Sequence, residues 1–160
     1  IRTGILIASE EVVEAYVNIN TIVNLASSTV GPALGKEIFA GNQMDMMCQQ
    51  HIQPFYKERA RQTVKWFQEA LEGLPFRIHQ PEGAIFLWLW IEGLPISCQD
   101  LYERLKKRGV LVVPGQNFFI GIEDDWAHKH ECLRVSYAQD EATVREGVRL
   151  IAEEVKAVHG

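Results

Sequence analysis

The sequence predicts an α/β protein in which helices cover a mixed β-sheet. Short apolar runs rich in β-branched and aromatic residues, which are typical of strands, alternate with longer segments whose apolar residues recur every three or four positions, which is typical of helices. Short turns join some of the runs directly, whereas a helical segment separates others. Both kinds of connection together favour a sheet of mixed strand direction.

The first half of the chain is predicted to be mainly helical. Residues 2–8 form an apolar run that predicts a buried strand, and Ser9 is a suitable N-cap for the helix that follows. A polar loop at 24–32 and a short helix at 33–39 come next. One face of the first helix is predicted to carry Val12, Tyr16, Ile19 and Val23.

Residues 43–72 predict one long helix, or two helices joined by a bend at Pro54, because proline removes a backbone donor. We therefore expect a domain boundary near Pro54, with residues 1–53 before it and 54–160 after it. The chain opens on Ile1 in an apolar run, so we also expect it to be the tail of a longer protein.

The second half predicts strands alternating with helices. The strands are expected at 76–79, 84–91, 110–113 and 132–137. A helix begins at Ser97, which forms a capping box with Asp100, and ends at Gly109. The final helix is indicated by apolar residues at helical spacing, namely Val144, Val148, Ile151, Val155 and Val158.

Composition excludes several classes of protein. The 160 residues are 47% hydrophobic and 23% charged, which is typical of a globular domain and not of a disordered chain. The net charge of −5 argues against a nucleic-acid partner, and no apolar run is long enough for a membrane-spanning helix. The three cysteines form no Cys-x-x-Cys pair, so we expect a reducing compartment, the cytoplasm.

Arg134 is the strongest candidate for a binding residue. It lies inside an otherwise apolar strand, where a cation needs an anionic partner or a route to solvent. Its planar guanidinium suits bidentate binding of a carboxylate. The alternative is an arginine on a solvated face of the sheet.

Other residues carry weaker signals. Arg2, at the start of a strand and beside Thr3 and Gly4, is suited to a phosphate, although the local sequence alone favours a surface position. Gly83 and Gly115 lie in turns where glycine permits a positive φ and close approach of a ligand, although an ordinary turn explains each glycine equally simply and is favoured for either alone. We expect no metal site, because the cluster of His128, His130, Glu131 and Cys132 has no zinc-type spacing.

Four segments together resemble the C-terminal part of the class I aminotransferases, which are pyridoxal-phosphate enzymes of the aspartate-aminotransferase fold (fold type I). The segments are IRTGILIA, HQPEGAIFLWLW, LYERLKKRGVLVVPGQNFFIG and HECLRVSYA, in this order. The resemblance implies the end of a large domain, a connecting helix and a small α/β domain. It also implies pyridoxal 5′-phosphate as the cofactor and a homodimer as the assembly.

The resemblance assigns roles to particular positions. Arg2, in Arg2-Thr3-Gly4, matches the family's arginine that contacts the cofactor phosphate, and Arg134 matches the arginine that binds the substrate α-carboxylate. Pro81, Gly83 and Phe86 match a turn near the mouth of the site. The Schiff-base lysine of the family lies upstream of Arg2, so we expect no catalytic residue in these 160 residues and no activity from them alone.

The middle segments are most similar to family members that move an amino group between valine- or alanine-type amino acids and 2-oxo acids. Two alternatives stay open. The first is another enzyme on the same scaffold, an aromatic aminotransferase or a β-lyase. The second is a free-standing interaction module without catalysis.

Overall fold

The computed structural model describes residues 4–24, 28–124 and 126–160. The chain divides into two compact units, Ile1–His51 and Ile52–Gly160. This division lies two residues before the boundary predicted from Pro54. Within the described residues, none of the helices has the length and apolar character needed to cross a bilayer.

The first unit is helical in the residues described. Helix α1 spans Glu10–Val23, α2 spans Val30–Ala40 and α3 spans Gln43–Met47. The strand predicted at 2–8 is wrong for residues 4–8, which are exposed and have no regular structure; residues 2 and 3 lie outside the described part. An apolar run indicates a tendency to be buried but does not supply the neighbouring strand that a ladder needs.

Pro54 lies in the first turn of helix α4, which spans Gln53–Ala70 and follows a π-helical turn at Cys48–Ile52. The long helix predicted at 43–72 is therefore several consecutive helical segments. A proline in the first turn removes a donor that has no intrahelical acceptor in any case, so it favours a helix start at this position.

The second unit contains a four-stranded sheet in the order β1-β2-β4-β3, and all of its described pairings are antiparallel. The strands are β1 (Phe76–Ile78), β2 (Phe86–Ile91), β3 (Val113–Pro114) and β4 (Cys132–Ser136). The prediction of a mixed sheet is wrong for this part of the chain. The turn between β1 and β2 is too short for a parallel crossover, which needs a dozen or more residues.

Three helices cover one face of this sheet. They are α4, α5 (Cys98–Lys107) and α7 (Glu141–His159), and α7 packs against the other two; the short helix α6 (Ala127–His130) lies just before β4. Ser97 caps α5 as predicted: its hydroxyl accepts from the Asp100 amide at 3.1 Å and donates to the Asp100 carboxylate at 2.7 Å. The core between helices and sheet contains Phe67, Leu71, Leu87, Leu89, Ile91, Leu101, Leu105, Leu133, Val135, Val148, Ile151 and Val155.

Candidate functional site

The opposite face of the sheet carries the predicted binding residue. Side chains alternate between the two faces along a strand, so Leu133 and Val135 point to the helices whereas Cys132 and Arg134 point away from them. On β2 the same alternation separates Leu87 and Leu89 from the aromatic residues. We call this second surface the aromatic face; its strand residues are Phe86, Trp88, Trp90, Cys132 and Arg134.

The guanidinium of Arg134 lies between two aromatic rings. Arg134 is paired with Trp88 on one side and Val113 on the other, so it occupies an interior strand of the sheet. Its Cζ atom is 4.2 Å from the centroid of the Phe86 ring and 4.9 Å from that of Phe118. Cation–π attraction stabilises this arrangement without neutralising the charge.

No described residue forms an ion pair with this guanidinium. The Nε atom of Arg134 is buried and has no hydrogen-bond acceptor among the described residues. By contrast, Arg104 on α5 and Arg108 at its C-cap form ion pairs with Glu154 and Glu153 on α7 at 2.8 and 2.6 Å. A half-buried guanidinium without a carboxylate partner is costly, which is typical of a residue whose anion comes from a ligand. Arg134 therefore meets the requirement for carboxylate binding.

A short turn holds Phe118 over the guanidinium. The 3₁₀ turn Gly115–Phe118 follows β3, and Trp88 contacts Phe118 edge to face at a centroid distance of 5.4 Å. Gly115 permits this turn to pack directly on β4, because a Cβ atom there would lie 2.6 Å from the Cβ of Cys132. Glycine is required at position 115 because of this close contact. Backbone conformation is not the reason, since neither Gly115 nor Gly83 has a positive φ.

The positive φ predicted for this region belongs instead to Ala84, at 61°. The hydroxyl of Tyr137 donates to the Ala84 carbonyl at 2.8 Å, and the Tyr137 amide donates to the Ile85 carbonyl at 3.1 Å. These bonds hold the start of β2 against the end of β4. Phe86, which follows directly, is thereby placed beside Arg134.

Glu131 fixes the other end of the aromatic face. Its carboxylate accepts from the Trp90 indole at 2.8 Å and from the Gly93 amide at 3.1 Å. Its carbonyl accepts from the Ile91 amide at 3.0 Å. Glu131 therefore links the end of β2 to the start of β4, a structural use of a residue that the sequence had placed in a candidate metal cluster.

Cys132 and His128 lie together, with the thiol sulfur 3.5 Å from the His128 Nε2 atom. Burial raises the pKa of the Cys132 thiol to about 12, so the thiol stays protonated at neutral pH and is a poor metal ligand. His130 instead approaches Gln116 through Nδ1 at 3.3 Å. Within the described ranges, no three His, Cys, Asp or Glu side chains are grouped as a metal site would need.

Sequence reasoning proposed Arg134 but did not predict that the two phenylalanines lie beside it. Arg2 lies outside the described residues, so the structure gives no position for it. Phe86 and Phe118 reach the guanidinium only because of strand register and the 3₁₀ turn, and neither follows from local spacing. The one available signal was the alternation of Phe86, Trp88 and Trp90, which places aromatic side chains on one face of a strand.

The fold is that of an aminotransferase domain. The family described as aminotransferase class I and II matches residues 1–151, and the chain belongs to this family. The valine–pyruvate aminotransferase of Escherichia coli (strain K12) is 43% identical over 155 residues, which are 97% of this chain and 37% of that protein.

Solved structures agree with this assignment. The crystal structure of valine–pyruvate aminotransferase from Salmonella typhimurium is 40% identical, with a TM-score of 0.84 over 96% of this chain and 39% of that chain. An α-aminoadipate aminotransferase from Thermus thermophilus has a TM-score of 0.74 at 23% identity, over 96% of this chain and 37% of that one, which shows the fold alone. The chain thus spans well under half the length of these relatives.

Proposed function

We propose that the protein containing this chain is a pyridoxal-phosphate-dependent aminotransferase that moves an amino group between valine- or alanine-type amino acids and 2-oxo acids. The identity of 43% and 40% to two valine–pyruvate aminotransferases supports the substrate class. We further propose that it acts as a cytoplasmic homodimer. The free thiols of Cys48, Cys98 and Cys132 are consistent with a reducing compartment.

One observation carries the proposal: Arg134 is a half-buried cation with an unsatisfied Nε donor and no ion-pair partner among the described residues. Amino acids and 2-oxo acids share one group, the carboxylate beside the reacting carbon. A guanidinium binds that group through two parallel hydrogen bonds, which fixes both its position and its orientation. A single arginine can therefore serve both halves of the reaction.

In the proposed mechanism, Arg134 holds the carboxylate of the amino acid in the first half-reaction and that of the 2-oxo acid in the second. Binding at a fixed point orients the bond from the α-carbon to its hydrogen, which is the bond that must break. The rings of Phe86 and Phe118 lie close to the guanidinium, with centroids 4.2 and 4.9 Å from its Cζ atom, and shield it in part from water. The ion pair is correspondingly stronger than it would be in open solvent.

Pyridoxal phosphate, when bound, supplies the electron sink for this chemistry. The described residues fit such an enzyme in one respect, because the orphaned Arg134 Nε lacks the acceptor that a bound substrate carboxylate would provide. We propose Arg2 as a contact of the cofactor phosphate. The solved relative from Thermus thermophilus was crystallised with N-(5′-phosphopyridoxyl)-L-leucine, a compound that joins the cofactor to an amino acid.

We also propose that residues 1–53 end a large cofactor-binding domain and that residues 54–160 form the small domain. The two compact units, divided between His51 and Ile52, support this division. Apolar side chains such as Ile19, Ile22 and Val23 on α1 are more than half exposed. Exposed apolar surface of this kind is typical of an interface, which supports contact with further parts of the protein.

The test replaces Arg134 with lysine in the full-length protein. Lysine keeps the charge but loses the fork, so the KM values of the amino acid and of the 2-oxo acid should rise together. Truncation to leucine should lower kcat/KM for both by the equivalent of about 2–5 kcal/mol. Steady-state kinetics with valine or alanine and several 2-oxo acids measure both effects.

A matched control is Arg77→Lys, because Arg77 is also a strand arginine near an aromatic ring but is exposed and paired with Glu92. We expect its KM values to match those of the unsubstituted protein. A change in the KM of only one substrate in Arg134→Lys would contradict the shared carboxylate role. Transfer from aromatic amino acids alone, or β-elimination, would overturn the proposed substrate class or reaction.

A further inference from the structure

We infer that Phe86 and Phe118 are positioning residues that form an aromatic clamp on Arg134 and hold its guanidinium ready for a carboxylate. The inference rests on the proposed role of Arg134 in the aminotransferase reaction and assigns a function to two residues beside it. The clamp acts through Arg134 and is distinct from the rest of the aromatic face.

Both rings of the clamp lie close to the guanidinium. Ring centroids lie 4.2 and 4.9 Å from the Arg134 Cζ atom, so the Phe86 and Phe118 rings occupy the space beside the guanidinium. The hydrogen-bond donors of a guanidinium lie in its plane and point outward from its edge. Rings in contact with the guanidinium therefore restrict its movement but do not accept hydrogen bonds from these donors as a carboxylate would.

Aromatic neighbours leave the arginine free to bind a ligand, whereas a carboxylate neighbour would occupy it. Arg104 and Arg108 are held by Glu154 and Glu153, and a substrate could bind such an arginine only by displacing its partner. Phe86 and Phe118 attract the cation through the negative faces of their rings yet leave it formally unpaired. The Arg134 Nε atom, buried and without an acceptor in the described part of the chain, is in the state that this arrangement would maintain.

Neighbouring residues set the position of both rings. Phe118 ends the 3₁₀ turn that Gly115 allows to pack on Cys132, and Trp88 supports it edge to face. Phe86 begins β2 two residues before Trp88, the strand partner of Arg134. Phe86 and Phe118 themselves are 37% and 45% exposed, so they contribute little to the core and can be replaced without unfolding the domain.

The experiment replaces each ring with leucine in the full-length protein carrying its cofactor. Phe118→Leu and Phe86→Leu should each raise the KM of the amino acid and of the 2-oxo acid about fivefold, with kcat within about twofold, since the loss of one cation–π contact is of that size. The double variant should raise both KM values further. The aromatic variants Phe86→Tyr and Phe118→Tyr should restore values close to those of the unsubstituted protein.

Binding is measured separately from turnover. Isothermal titration with 3-methylbutanoate, a carboxylate that has no α-amino group and cannot react, gives a dissociation constant that should rise in the leucine variants by the same factor as KM. Phe55→Leu is the matched control, because Phe55 is also an exposed ring with an arginine, Arg59, 5.4 Å from its centroid. Its dissociation constant should be unchanged.

The outcomes separate the clamp from the proposed function. If Arg134→Lys weakens binding of the probe but the leucine variants do not, the clamp is wrong and the role of Arg134 stands. If neither Arg134→Lys nor the leucine variants change binding, the proposed function fails and the clamp fails with it. Tyrosine variants that bind as weakly as the leucine variants would show a steric role only, which also overturns the clamp.

Discussion

The two faces of the sheet are built by the same strands but have opposite character. One face consists of aliphatic side chains that are fully buried under three helices, including Leu87, Leu89 and Leu133 at 0–1% exposure. The aromatic face carries Phe86 and Arg134, which stay partly exposed. Alternate positions of one strand can thus differ in burial and chemistry, because the pleat separates them.

The difference has an electrostatic cause. On the helix-covered face the only requirement is close packing, which Leu, Ile and Val meet. On the aromatic face the Arg134 cation has an Nε donor without an acceptor among the described residues, whereas an acidic neighbour would neutralise it. Aromatic rings are the side chains that attract a cation while leaving it able to bind an anion.

The largest expected effect comes from the helix-covered face. Leu89→Ala removes a fully buried side chain from the middle of β2 and should lower the free energy of unfolding by about 3 kcal/mol. Phe86→Leu, on the aromatic face of the same strand, should lower it by less than about 1 kcal/mol. Urea unfolding followed by tryptophan fluorescence measures both. Equal losses would mean that the two faces contribute equally to stability, which would contradict the comparison.

An intermediate effect is expected where the 3₁₀ turn at Gly115 packs against Cys132 on β4. Gly115→Ala places a Cβ atom 2.6 Å from the Cβ of Cys132 and 2.9 Å from its carbonyl oxygen, so the turn or the strand must shift. We expect a loss of about 2 kcal/mol in the free energy of unfolding, which is typical of overpacking. Because the turn carries Phe118, the KM values should rise as well. The matched control is Gly83→Ala, at which a Cβ atom meets nothing within 4 Å.

The smallest effect on stability at neutral pH is expected for Cys132, which is fully buried at one end of the aromatic face. Burial raises the pKa of the Cys132 thiol to about 12, so folding favours the neutral thiol. Its contribution to the free energy of unfolding is therefore fully present below pH ~9 and is lost as the pH rises toward 12. The urea midpoint should fall over this range, and Cys132→Ala should remove that part of the decline. Thiol labelling at pH 8 should reach the partly exposed Cys48 first; rapid labelling of Cys132 would contradict burial of this end.

Much of the second unit could be predicted from its sequence, because local chemistry determines it. The capping box of Ser97 and Asp100, the helix ends near Gly73 and Gly109, where φ is 85° and 79°, and the aromatic strand β2 all follow from residue type. Strand β3 is shorter than predicted, at Val113–Pro114 instead of 110–113. Pairing to β4 depends on a tertiary contact that an apolar run does not encode.

The site could be predicted in part. Arg134 could be proposed from the sequence because a cation inside an apolar strand needs an anionic partner or a route to solvent. The rings of Phe86 and Phe118 depend on the antiparallel register of β2 with β4 and on the turn at Gly115, which bring together residues 16 to 48 positions apart in the chain. The structural role of Glu131 could not be predicted for the same reason, since its partners Trp90 and Gly93 are distant in sequence.

The segment between Gly115 and Glu131 is anchored at both ends, by the contact of Gly115 with Cys132 and by the three hydrogen bonds that Glu131 accepts. A loop closed in this way tolerates insertions, because the entropy of closure grows only with the logarithm of loop length. Residues around Trp126 can therefore vary in number and chemistry while the strands keep their register. Strand β4, which carries Arg134, keeps its place in the sheet when the loop before it changes.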